Sequence, residues 1–536
     1  MTGFVVRNFS GVAPRVNPRL LADNKAQSAS NCVVTSGTLR PLKTNLAVMT
    51  LPKSGTIRTI HRFGQDVAED DRYWFHWADD VDVVRGPIFG DTQERTYWTG
   101  DGLPKVSDNS IALSGGTQYP MNAYTLGIPA PATAPIATVG GTATPGALAE
   151  ARVYVETFVS GWGEEGCPSN ASNEVDVLLG QSVTLSLSAV PTGAYNLTAR
   201  RIYRSVPGSS GTPYLFVTEI PIASATYTDS LTADALGELL PSLDYAMPPA
   251  ALRGLVAMPG GVMAGFVGRD VFFCEPFKPH AWPIKYSQPV DSEIVALAVF
   301  DTTLLVLTKG APTIISGSHP ENYTPVKCEL PQAGVSKRSV VDVGGGVAYA
   351  SPDGLFLVGG GVTRNLTEAH FTRREWQAMR PSELSGYLID GRYVGFNSTG
   401  GFVLDLISGD LIPLNWTASA GFYDPIRDAL FLVTDGNQLV KFDAGATDST
   451  LTWKSKDFYV PKPINMGAAR VEAAAYPVTF KVYADGVLKH TQTVSSALEF
   501  RLPDGFLAHT WAFEVSGTHE IYSAAIAETA LELQNG

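Results

Sequence analysis

The stretch that most constrains the fold is Val343–Gly361, VGGGVAYASPDGLFLVGGG. A glycine turn leads into the apolar run Val347–Ala350, and Ser351-Pro352-Asp353-Gly354 forms a tight turn. The apolar run Leu355–Val358 follows, and Gly359-Gly360-Gly361 closes the stretch. Two short apolar strands joined by a Pro-Asp-Gly turn predict a β-hairpin. One hairpin cannot bury its apolar face alone, so the chain must supply partners. It does so by repetition. Leu255–Val267 with Val271–Cys274, Ile294–Thr308 with Thr313–Gly317, Gly386–Phe396 with Phe402–Leu406, and Gly421–Val433 with Gln438–Phe442 share the same grammar. The period of about 40 residues is that of a four-stranded propeller blade.

Composition agrees. The 536 residues exceed one ordinary domain, and their 52 Gly and 36 Pro without a collagen period indicate many turns and short strands. The predicted fold is all-β: a β-propeller of about six blades with an inserted immunoglobulin/fibronectin III-like sandwich and a C-terminal β-sandwich. The net charge of −13 disfavours a general nucleic-acid binder, though not a channel past which DNA slides. Cys32, Cys167, Cys274 and Cys328 are far apart and form no Cys-x-x-Cys pair, so free thiols are expected. The first residues, MTGFVVRNFSG, do not read as a secretory signal, and no run approaches the length of a membrane span.

In chain order, residues 1–50 read as an extended arm with a short helix at Asp23–Ser30. Within this arm Leu39–Val48 is the expected closing strand of the propeller. Residues 51–123 read as the first blade, with strands at Thr56–Phe63, Arg72–Trp77, Val81–Arg85 and Arg95–Thr99. Residues 124–249 hold linkers, notably the Pro/Ala/Thr-rich Tyr124–Pro145, around a sandwich of six strands from Ala151 to Asp229. Residues 250–453 carry the remaining blades. They are interrupted by a helix whose capping box, Thr372 to Glu375, opens onto Trp376. Residues 454–536 form the C-terminal sandwich, with a hairpin turn at Ala484-Asp485-Gly486.

No chemistry announces itself. Asp79, Asp80 and Asp82 lack EF-hand spacing. Ser351-Pro352-Asp353 begins like the turn motif of sialidases, but Gly354 comes one position early and the tryptophan is missing. Glu164/Glu165 and Asp70/Asp71 sit in turns, where solvated charge is the default. The runs Gly344–Gly346 and Gly359–Gly361 lack the Lys-Ser/Thr of a phosphate loop, and no Gly-x-Ser-x-Gly elbow occurs. Asn196, Asn365 and Asn397 match the glycosylation pattern by chance. The expectation is a non-enzyme with no catalytic, metal or cofactor site.

The skeleton Gly11…Pro14…Asn17…Leu20-Leu21…Ala26…Ala29…Asn31…Ser36-Gly37-Thr38-Leu39…Pro41 resembles the opening of tail-nozzle (tail tubular protein B-like) proteins of short-tailed bacteriophages. Glu275-Pro276…Pro279-His280-Ala281-Trp282-Pro283 and Ser336-Lys337-Arg338-Ser339 look like structural proteins of such phages and prophages. The chain is shorter than the best-known nozzles and carries the additional fibronectin-like insertion. The resemblance implies a virion protein made in the host cytoplasm and placed in the tail. Six copies would form a homo-oligomeric ring continuing the DNA-ejection channel. DNA would pass without sequence-specific binding, and the partners would be the tail adaptor or portal-proximal proteins and tail fibres or spikes. Residues 1–50 would lie on a neighbour, so deleting residues 2–30 would leave the propeller folded but block assembly. The alternative is a propeller-based protein that binds or cleaves glycans at a receptor; a cellular adhesin is a third option.

Overall fold

A computed structural model describes residues 3–64, 68–206, 213–329, 331–359 and 361–534. Strands take 45% of the chain and helices 7%, which makes it all-β. It divides into two compact units. One comprises residues 1–78, 307–312 and 328–536, and the other residues 79–306 and 313–327.

Blades recur in both units. In the first, the opening hairpin becomes Val347–Ser351 and Gly354–Gly359, paired Val347 to Val358 and Ser351 to Gly354 around the Pro352-Asp353 turn. Val341–Asp342 and Val362–Asn365 complete its four-stranded sheet. The next blade is Ser385–Ile389, Arg392–Asn397, Gly400–Asp405 and Leu411–Leu414. The last has three strands, Ala420–Asp424, Ala429–Thr434 and Gln438–Lys441, and takes its fourth from Leu46–Thr50. That strand overlaps the segment expected to close the propeller. In the second unit a four-stranded sheet is built from Arg253–Pro289, and another from Ile294–Lys327, of which residues 307–312 count with the first unit. Within each unit the first strands of successive blades lie side by side. The fold class is therefore all-β, with β-propeller blades, an inserted sandwich and a C-terminal β-sandwich.

Several local expectations are corrected. The stretch 51–123 is not one blade. Thr59–Arg62 pairs with Trp74–Trp77 in the first unit, whereas Asp82–Arg85, Thr96–Thr99, Lys105–Ser107 and Tyr124–Thr125 make a separate sheet in the second. The Pro/Ala-rich linker contains a strand, Ile136–Gly140, which pairs with Ser182–Ser186 and buries Ala137 in the inserted sandwich. Asp23–Ser30 is not a helix. Ser28–Ser30 pairs with Leu451–Lys454, so its backbone groups are satisfied across a ladder rather than along a helix.

The C-terminal sandwich is not self-contained. One sheet orders Gly3–Val6 beside Ile521–Ala527, then Ala468–Ala473 and Phe500–Arg501. The other includes Ser28–Ser30, Leu451–Lys454, Ala508–Gly517, Val478–Ala484 and Val487–Val494. Leu451–Lys454, expected among the blades, thus belongs here. The residues between the two arm strands fill the core: Phe9 packs edge-on to Trp453 at 4.9 Å, and the Trp453 indole donates to the Ser10 carbonyl at 3.0 Å. Asp410 anchors the arm to a blade. It accepts from Ser10 Oγ, from the Gly11 N–H at 2.8 Å and from Lys25 at 2.9 Å. Burial pushes its pKa up, but these three donors outweigh burial and hold it below the usual value. A side chain at Gly11 would sit 2.5 Å from the Leu411 carbonyl oxygen, so only glycine allows this approach. The arm is therefore an integral strand system of its own chain, not a segment left free for a neighbour.

The capping box forms as expected. Thr372 and Glu375 cap Arg373–Ala378, and buried Trp376 donates to the Ser351 carbonyl at 2.8 Å, fixing the hairpin turn.

Buried His76 should make the stability of the first unit depend on pH. His76 Nδ1 donates to the Trp74 carbonyl at 2.8 Å, and its Nε2 accepts the Lys53 N–H at 3.4 Å. Burial, with the nearby Lys53 charge, lowers its pKa to about 4. The unfolded chain then binds the extra proton first. Stability from His76 is complete above about pH 6.5 and is lost as pH falls toward 4, by about 3 kcal/mol. Urea midpoints of the full chain should fall across this window. The slope should flatten in His76→Gln, and an unchanged slope would contradict the assignment.

Candidate functional site

The fold places the residues singled out from sequence at separate positions. Among the described residues no group of three or more His, Cys, Asp and Glu side chains could hold a metal. Asp82 accepts from the Gly254 N–H at 3.0 Å, joining two blades. Asp70 sits in an ion cluster with Arg62 at 3.3 Å, Arg427 at 3.1 Å and Lys441 at 3.6 Å, while Asp71 is exposed. Glu164 and Glu165 diverge. Glu164 pairs with Arg95 at 2.8 Å, and buried Glu165 accepts from Thr157 and Tyr203, each at 2.7 Å, and pairs with Arg201. Gly346 and Gly359 face one another so closely that a side chain at Gly359 would lie 2.3 Å from the Gly346 Cα; Gly360 lies outside the described residues. Asn365 and Asn397 use their side chains to brace local turns. All four cysteines are free thiols, with Cys32 and Cys274 buried.

The inserted sandwich contains two buried ion pairs. Arg200 meets Glu156 at 2.9 Å, and Glu156 also accepts from the Ser188 N–H at 2.6 Å. Arg204 meets Asp229 at 2.8 Å, and Asp229 accepts further bonds from the Tyr154 hydroxyl and the Leu231 N–H. These side chains are almost wholly removed from water. The first pair ties neighbouring strands of one sheet, and the second joins the two sheets of the sandwich.

A different place can. In the first unit an open cleft of about 600 Å³ is lined by Arg15, Asp353, Thr363, Arg364, Glu368 and Arg373, over a floor containing Phe356 and Phe371. Arg364 comes from the last strand of the opening blade, Arg373 from the first turn of the capped helix, and Arg15 from the N-terminal arm. Their supports are tied down. Arg15 N–H donates to the His370 carbonyl at 2.8 Å, and its guanidinium donates to the Glu368 carbonyl at 2.7 Å. His370, whose pKa burial lowers, donates from Nδ1 to the Val12 carbonyl at 3.0 Å. Asn365 donates to the Asp353 carbonyl and accepts from Thr367, whose hydroxyl takes the Leu355 N–H. Arg373 reaches Asp353 at 2.9 Å while remaining largely exposed.

Chemically, this is a binding geometry. The Thr372 hydroxyl is engaged with Glu375, and Asp353 has an arginine beside it. Neither a histidine nor a cysteine is among the lining residues. Sequence reading missed the cleft, because Arg15 and Arg364 carry no motif and meet only through the fold; the one legible hint was Asp353 in the Pro-Asp-Gly turn.

No protein-family model matches the chain, and no curated protein matches it. Among solved structures it is similar to PorZ, an essential bacterial surface component of the type-IX secretion system of Porphyromonas gingivalis. The TM-score is 0.27 at 10% identity, over 89% of this chain and 82% of that one. AztD from Citrobacter koseri gives a TM-score of 0.27 at 13% identity, over 69% of this chain and 99% of that one. The extracellular domain of the one-component system BT4673 from B. thetaiotaomicron gives 0.22 at 7% identity, over 94% and 62%. Likenesses this low carry no functional argument.

Proposed function

We propose that the chain is a structural subunit of a short phage tail, forming with its own copies a nozzle ring that continues the DNA-ejection channel. The observation that carries this reading is the interlock of the chain ends. Gly3–Val6 pairs with Ile521–Ala527, Ser28–Ser30 pairs with Leu451–Lys454, and Leu46–Thr50 closes a blade. Such an arrangement resists fraying, as a ring subunit carrying load must. The N-terminal residue pattern that resembles nozzle proteins and the net charge of −13 are consistent with it. Large apolar side chains stand exposed at separate loops, among them Phe89, Leu148 and Ile407. They offer contact points for copies, the tail adaptor or fibres. Ring closure requires heterologous contacts, one surface of each copy against a different surface of the next.

On this reading the protein is not an enzyme, and its place is the virion tail. A glycan-binding role on a propeller remains the second reading, favoured by the arginine-lined cleft. Immunogold labelling of phage particles from a host carrying the gene tests the proposal. Label at the distal tail axis, with portal and adaptor genes adjacent, is the expected result. Unlabelled particles, or a purified monomer that releases sugar from host polysaccharide, would overturn it.

A further inference from the structure

We propose that the cleft between the N-terminal arm and the opening blade binds an acidic sugar, one whose carboxylate lies beside free hydroxyls. Its volume of about 600 Å³ falls in the range of small-ligand sites. Its charge runs against that of the chain: three arginines face two carboxylates in a protein of net charge −13. Arg364 is exposed on its strand, and its guanidinium enters no hydrogen bond or ion pair among the described residues, leaving its planar fork available to a carboxylate in two parallel bonds. Arg373, paired with Asp353 near the surface, supplies a second positive group.

The two carboxylates narrow the ligand class. Asp353 and Glu368 would repel a polyphosphate or nucleic-acid backbone, but as acceptors they suit hydroxyl hydrogens. The Thr363 side chain adds a group that both donates and accepts. A uronic or sialic acid presents a carboxylate and hydroxyls within one ring, which matches arginine and carboxylate side chains a few residues apart. The aromatic floor is buried, Phe356 at 7% and Phe371 at 9% exposure, so a polar ligand resting above it meets mostly polar walls. The walls are set before binding, because Asn365, Thr367, His370 and the arm hold them through hydrogen bonds already formed.

This inference does not require the ring and can fail without touching it. Calorimetry on the full chain, with oligogalacturonate, oligomannuronate and sialyllactose as probes, tests it. Neutral galactotriose and a hexaglutamate peptide are the controls. At least one acidic sugar should bind at least ten times more tightly than galactotriose, and its affinity should fall as salt rises. Arg364→Ala should weaken that binding at least tenfold with unchanged thermal unfolding, and Glu368→Gln should weaken it while leaving salt dependence in place. Lack of binding by all three acidic sugars, wild-type affinity in Arg364→Ala, or tighter binding of hexaglutamate would each overturn the assignment. The last result would indicate an acidic protein segment instead.

Discussion

Deleting residues 2–30 should abolish cooperative folding of the unit formed by residues 1–78, 307–312 and 328–536, not merely its incorporation into an assembly. The deletion removes one strand from each sheet of the C-terminal sandwich, at Gly3–Val6 and Ser28–Ser30. It also strips Val6, Phe9, Val12, Ala26 and Ala29 from a core that holds Trp453, Phe458 and Ile521. Phe9 alone, 1% exposed against Trp453, is worth about 3–5 kcal/mol when cut to alanine. The total stability of a domain is about 5–15 kcal/mol, so losing five buried side chains and two strands together exceeds what the unit can tolerate. The truncated chain should bind a hydrophobic dye and lose protection from hydrogen exchange across residues 451–527. Phe9→Ala provides the graded version, folded but less stable by that margin. A truncated chain with native protection would show that the arm's contacts are dispensable.

Asp229→Ala should destabilise the inserted sandwich by about 3–5 kcal/mol, because it leaves the Arg204 guanidinium buried without its counter-charge. Tyr154 loses the acceptor of its hydroxyl at the same step, and the Leu231 N–H loses its own. The double replacement Arg204→Met with Asp229→Leu should recover much of the loss, since removing both charges removes the desolvation penalty with the attraction. Hydrogen exchange in the full chain, followed at residues 154–160, 197–205 and 226–229, reads out local opening of this sandwich. Equal opening in the single and double variants would mean that packing at these positions, rather than the stranded charge, sets the stability.

Legibility in the sequence followed how local each signal is. The hairpin at Val347–Gly359 was readable because Pro352-Asp353-Gly354 specifies its turn and aliphatic residues fill both strands. The helix after Thr372 was readable because the capping box is a local reciprocal bond. The outer blade strands were not. Val362–Asn365 buries none of its four residues and Thr324–Lys327 is exposed throughout, so no run of apolar residues marks either strand. Val487–Val494 escaped for the same reason: it is paired on one side and mostly exposed. The arm misled in the opposite way. Asp23 and the small residues up to Ser30 suit a capped helix, but the ladder partners that decide their conformation lie at residues 451–454. The cleft was illegible because its arginines acquire meaning only when the arm is laid on the opening blade. The same long-range pairing that hid the arm's role also gives the chain its interlocked ends.

That interlock is the basis for reading the protein as a load-bearing ring subunit, and direct imaging of the particle tests that reading. Cryo-electron microscopy of phage particles containing the chain should reveal it as a closed ring with cyclic symmetry on the tail axis, its copies surrounding a continuous channel. Density for single copies off the axis, or particles complete without the chain, would contradict the account.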